Sequence, residues 1–174
     1  MPLTLDEAYR PAVKQGLAAL SGLVAKAEAH VHATGTDPAD LYAARLAPDM
    51  WTLPWHVRAC WMHSGYAATR MAGGVFTPDF SDVPQDWDAM RAMIDEAAAD
   101  LDALEAEGLE AIAGETVDFV WDGKRLMSFT VQDFLLSFSL PNFYFHAATF
   151  YDILRMKGVD LGKPDFLGPM RMLP

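Results

Sequence analysis

With a single cysteine, Cys60, the chain cannot form an intrachain disulfide or a thiolate metal cluster. Positive charge is scarce too: 13 Lys plus Arg stand against 24 Asp plus Glu, for a formal net charge of −11. No basic stripe offsets this locally, so a phosphate backbone would be repelled and nucleic acid is not an expected partner. The opening residues M-P-L-T-L-D-E lack the basic start and apolar run of a secretion signal. Together with the lone cysteine, they predict a cytoplasmic protein. There is also little uninterrupted hydrophobic sequence. Phe134 to Leu154 comes nearest, but it contains Pro141, Asn142, His146 and Asp152 and has no strong flanking cluster of positive charge. It is therefore expected to be a buried helix rather than a membrane span. Internal repeats and low-complexity tracts are lacking.

What is present suits one globular domain spanning residues 1–174, with 52% apolar residues and enough length to bury a core without staples. Thr4-Leu5-Asp6-Glu7 has the form of a capping box. Beyond it, Leu17, Leu20, Val24, Ala27 and Val31 recur at helical spacing until Gly35. Asp37-Pro38 opens a short helix that Pro48 closes. A second long helix starts near Thr52 and Pro54, with Leu53, Val57, Cys60, Ser64, Ala67 and Met71 facing inward as far as Gly73-Gly74. Val75 to Gln85 reads as a loop. A third helix follows from about Asp86, with a stripe of Trp87, Met90, Ile94, Ala97, Leu101 and Leu104, and Gly108 marks its end. Val117, Phe119 and Trp121 alternate before Asp122-Gly123, a pair suited to a tight hairpin turn. Thr130 to Asp133 is a variant capping box opening a fourth long helix to about Lys157, and a Gly- and Pro-containing tail then lies across the bundle. The expected fold is all-α: a four-helix bundle with a short helix after the first long one and a small β-hairpin between the third and fourth.

The segment L-P-N-F-Y-F-H, Leu140 to His146, places polar groups in one of the most apolar stretches. Pro141 removes a backbone donor and predicts a kink near Ser137 to Leu140. Asn142 and His146 stand four apart on one helix face. His63, near the edge of the inward stripe of the second helix, could converge with them, making His63, Asn142 and His146 a candidate interior site. His56 lies two turns earlier on roughly the same side and is expected at the helix surface. His30 and His32 are expected in solvent, and Cys60 in the core. Asp49 and Trp51 precede the second helix where a loop could cap a pocket mouth. Asp152 and Arg155 are expected to form a surface ion pair.

These features resemble the DinB-like superfamily of bacterial four-helix bundles, which includes thiol-dependent transferases and many uncharacterised members regarded as metalloenzymes. More narrowly, they resemble an uncharacterised-domain branch marked by L-A-P-D-M (Leu46–Met50), by a histidine in the second helix, by L-P-N-F-Y-F-H and by a closing G-x-x-x-G-K-x-D-F-L-G, here Gly158 to Gly168. The resemblance covers nearly the whole chain. It implies a divalent metal such as zinc or nickel, held by one histidine of the second helix and an H-x-x-x-H pair of the fourth. His63 and His146 match two of these metal ligands, and Asn142 stands in the place of the third. An amide oxygen is a poorer zinc ligand than imidazole. The residues therefore leave open a weakly held metal, a polar cluster around a small molecule, or a satisfied hydrogen-bond network in a non-catalytic homodimeric bundle.

Overall fold

The computed structural model describes residues 2–173 except residue 106, and the side chain of residue 72 is also left undescribed. Helix α1 (Leu5–Thr34) begins at the expected box: the Glu7 amide donates to Thr4 Oγ1 at 3.2 Å, and the Thr4 amide donates to Glu7 Oε2 at 3.0 Å. It ends where Gly35 takes the left-handed conformation, φ 68°, and donates to the Val31 carbonyl. The short α2 (Pro38–Tyr42) is capped by Asp37. The second long stretch comprises α3 (Leu53–Trp61), a π turn over Met62–Tyr66, α4 (Ala67–Arg70) and a 3₁₀ turn over Met71–Gly73. Helix α5 (Trp87–Ala103) starts at Asp86, whose carboxylate accepts from the Ala89 amide. It stops short of Gly108, which instead opens α6 (Gly108–Ile112). The fourth stretch runs from α7 (Val131–Asp133) through a second π turn, Phe134–Ser139, into α8 (Leu140–Met156). Among the described residues, these four long helical stretches enclose one apolar cluster to which every residue of the predicted α1 stripe contributes.

The expected all-α class needs correction, since the fold is mostly helical but carries a three-stranded sheet. Strands β2 (Thr116–Trp121) and β3 (Lys124–Thr130) form the anticipated antiparallel hairpin, with Asp122 and Gly123 at φ 49° and 69° and an irregularity between Phe119 and Val120. The third strand, β1 (Val75–Phe76), lies in the segment expected to be a loop and pairs parallel to β2. Gly74, at φ 68°, turns the chain so that its carbonyl accepts from the Asp118 amide at 2.9 Å. Phe76 is then buried against Phe119 and Phe134. Two residues with one apolar position are too short for period-two alternation to show in the sequence.

The tail lies on the bundle as expected: Lys26 pairs with Asp165 of α9 (Lys163–Leu167), and Gln15 donates to the Leu167 carbonyl. The expected Asp152–Arg155 pair does not form, because Arg155 turns to donate to the Leu161 carbonyl at the start of this tail. No described helix is long and apolar enough to cross a membrane.

A buried cation fixes the segment beyond β1. Arg58, 3% exposed, lies over the Trp61 ring and binds Asp79 through the carboxylate at 2.7 Å and the carbonyl at 2.7 and 3.0 Å. Asp79→Ala would leave that guanidinium in place with its carboxylate partner removed. The expected cost is about 2 kcal/mol, on the scale of a lost hydrogen bond to a charged group. Urea denaturation would measure it, and a loss within 0.5 kcal/mol of zero would mean that the segment is not anchored there.

Candidate functional site

Both helices that carry the site residues contain a π turn, and the two turns meet. In the first, His63 (φ −94°, ψ 21°) and Ser64 (φ −130°, ψ −107°) depart from helical geometry, leaving carbonyls without their usual intrahelical partners. Side chains take those positions. Ser64 Oγ donates toward the Cys60 and Trp61 carbonyls at 2.6 and 3.0 Å. The Tyr9 hydroxyl reaches the His63 and Ser64 carbonyls at 3.0 and 3.3 Å. Ser139 Oγ, from the facing π turn, donates to the His63 carbonyl at 3.2 Å and lies 3.3 Å from His63 Nδ1. With the serine proton on that carbonyl, His63 Nδ1 is the donor to Ser139. Burial keeps the ring neutral, lowering its pKa to about 4.

Asn142 does not turn toward His63. Its Nδ2 donates to the Phe138 carbonyl at 2.7 Å, one turn back at the end of the second π turn. In place of the kink expected from Pro141 near Ser137 to Leu140, the helix widens into the π turn Phe134–Ser139, Pro141 stands in the first turn of α8, and Asn142 bonds back to the end of the π turn. The two sequence-predicted partners of His146 are thus engaged elsewhere, with His63 on Ser139 and Asn142 on its own helix.

His146 instead meets His56, whose expected surface position is corrected: His56 is 1% exposed, and the two Nδ1 atoms lie 2.9 Å apart. A histidine seven residues before His63 should share its helix face, but the π turn beginning at Met62 breaks that registry. A His-x₆-His spacing in the second helix, opposite His146 in the fourth, was the signal available for this pair. His56 Nε2 lies 3.2 Å from the Trp51 carbonyl. That carbonyl can only accept, so His56 carries its proton on Nε2 and presents a bare Nδ1. His146 must then donate from Nδ1, which leaves its own Nε2 as a bare acceptor. Burial, followed by the neighbouring His56 and His63, holds the His146 pKa down to about 3. Burial lowers His56 as well, against the opposing Trp51 hydrogen bond.

This pair opens on a recess of about 230 Å³ lined by Asp49, Met50, Trp51, His56, Phe145 and His146. The Trp51 ring stacks on His146 with centroids 5.4 Å apart and planes within 14°, and Phe145 meets the same imidazole edge to face. The loop before α3 thus supplies Asp49 and Trp51 to the pocket wall, as their sequence position suggests.

The donor set does not fit the three-ligand metal centre implied by the resemblance. A catalytic zinc takes three protein ligands. Here two imidazole nitrogens face each other, His63 Nδ1 is committed to Ser139, and the Asn142 amide is turned to the Phe138 carbonyl. Among the described residues, no group of three or more His, Cys, Asp or Glu could hold a metal ion. Cys60 adds no thiolate, as burial pushes its pKa up and its sulfur faces the Phe143 carbonyl at 3.7 Å.

Residues 5–167 match the profile of a domain of unknown function, DUF1993. Among solved structures, the chain is similar to a DinB family member protein from Shewanella denitrificans, with a TM-score of 0.81 and 26% identity over 98% of this chain and 95% of that one. No curated protein matches the sequence.

Proposed function

Because the chain belongs to the DUF1993 domain family and is built like a DinB family member, we propose that it is a small-ligand-binding bundle degenerate with respect to the three-histidine metal pattern. The ligand occupies the recess between the second and fourth helical stretches. The observation that carries this reading is the His56–His146 pair, buried on one side and open on the other to a recess walled by aromatic rings. Of the residues expected at the site, His146 is the ligand-facing one. His63 and Asn142 hold the two π turns in shape from behind, and His56 replaces them as the partner of His146. A structural-network reading accounts for His63, whose ring and carbonyl are satisfied by Ser139 and Tyr9. It does not account for the outer wall, where Phe145 is 56% and Trp51 39% exposed around the same recess.

Incubation with zinc, nickel and manganese followed by metal analysis should leave the wild-type chain with well under one equivalent bound. Fragment titration should shift the Trp51 indole and His146 ring resonances while leaving His63 unmoved. Stoichiometric metal that disappears in both His56→Ala and His146→Ala would overturn the organic-ligand reading in favour of a metal site.

A further inference from the structure

The chemistry of the recess selects the class of its ligand. At the wall the imidazole and carboxylate groups of His146 and Asp49 offer hydrogen-bond acceptors, and the Trp51 indole N–H is the one side-chain donor not used within the histidine pair. The Trp51 carbonyl fixes the His56 tautomer, His56 fixes that of His146, and the chain of protons ends in the bare Nε2 of His146. Asp49 adds a carboxylate, again acceptor only. The remaining wall is Met50 and the rings of Trp51 and Phe145, whose faces carry the negative side of the aromatic quadrupole. Among the described residues, no lysine or arginine lines the recess, and Arg45 in the same loop directs its guanidinium to the Pro48 carbonyl. The chain as a whole carries a net charge of −11.

We infer that the ligand is a small organic cation bearing N–H donors, an aliphatic or aryl-alkyl ammonium. This rests on the proposal above that the recess is a ligand site, and adds its chemical class. The ammonium donates to His146 Nε2 and is countered by Asp49, while its carbon portion lies against Trp51, Met50 and Phe145. An anionic ligand would find acceptors and a carboxylate with no compensating cation, a desolvation cost without return. A neutral alcohol could donate one hydrogen bond but would forgo the Coulomb and cation–π terms. The recess, at about 230 Å³, is smaller than the ~300–1,000 Å³ of drug-sized sites and has room for one ring or a short chain. The depressed pKa of His146 works in the same direction, because an uncharged imidazole does not repel an ammonium.

Benzylamine, benzyl alcohol and benzoate share one ring and differ in charge at neutral pH. Each would be titrated into the wild-type chain while the Trp51 indole resonance, assigned with Trp51→Phe, is followed by NMR. Benzylammonium is expected to bind at least tenfold more tightly than benzyl alcohol, to weaken as sodium chloride rises, and to exceed benzoate by more than that. Asp49→Asn, at an exposed position, should reduce the preference for ammonium over alcohol to threefold or less. Benzyl alcohol or benzoate binding as tightly as benzylammonium, or a preference unchanged in Asp49→Asn, would overturn the cationic class while leaving the recess a ligand site. If none of the three shifts the Trp51 resonance, the ligand-site reading fails, and this inference with it.

Discussion

Acidification from pH 6.5 to 4 is expected to remove most of the stability of the native state, because the fold buries three imidazoles in neutral form. The ring of His63 is held down to a pKa of about 4 and that of His146 to about 3, against 6.5 for a free ring, and His56 is lowered too. A base whose folded pKa is depressed stays neutral in the native state while the unfolded chain takes up its proton. Stability is therefore complete above pH 6.5 and falls as the pH drops, levelling only below the folded values. Each such ring contributes a slope of about 1.4 kcal/mol per pH unit. By pH 4, His63 and His146 together amount to roughly 6–7 kcal/mol, comparable with the ~5–15 kcal/mol total of a typical domain. Guanidinium midpoints measured between pH 6.5 and 5, above the ordinary range of carboxylate titration, isolate the histidine contribution. The expected slope averages about 2 kcal/mol per pH unit across that window and approaches about 3 at its acid end, steeper as His56 adds its share. Replacing both His63 and His146 by Gln should flatten it. A slope near zero in the wild type would mean that the rings are hydrated and protonated in the native state.

Gly65→Ala should be among the most damaging single substitutions in the molecule. Gly65 lies in the first π turn, where the second helical stretch approaches α5 so closely that a Cβ would sit 2.9 Å from Ala97 Cα, 2.7 Å from Asp100 Cβ and in steric overlap with the Ala97 carbonyl oxygen. Ala97 is itself fully buried, and two of the three obstructing atoms belong to its backbone, so relief requires the helices to separate. The expected cost is about 3 kcal/mol or more, at the upper end of overpacking effects. Because the turn carries His63 and directs its carbonyl to Tyr9 and Ser139, the variant should also disturb the adjoining histidine pair. Gly22→Ala supplies the contrast: on the exposed face of α1, with nothing within 4 Å of an added Cβ, it should stabilise by up to about 1 kcal/mol through helix propensity. Chemical denaturation of both variants checks the pair, and a Gly65→Ala loss below 1 kcal/mol would show that α5 can yield.

The sequence by itself determined the four long helical stretches, most of their starts, and the buried faces of α1 and α5. Thr4 with Glu7, Asp86 with Ala89, and Thr130 with Asp133 are local caps whose hydrogen bonds each span three residues, and the stripes of α1 and α5 follow from a period that needs no knowledge of partners. The hairpin was legible for the same reason, since Asp122-Gly123 encodes positive φ angles at the turn itself. His146 was marked as a site residue by its setting in L-P-N-F-Y-F-H. Its partner was not. A π turn adds one residue to a helix without changing its composition, so spacing rules continued across Met62–Tyr66 assign His63 to the face that His56 occupies. The pairing of β1 with β2, the turning of Asn142 back to Phe138 and the closure of Trp51 over His146 are likewise contacts between segments distant in sequence or on irregular backbone. Tertiary packing alone decided these features, because each depends on which orphaned carbonyl or exposed ring lies nearest once the helices are in contact.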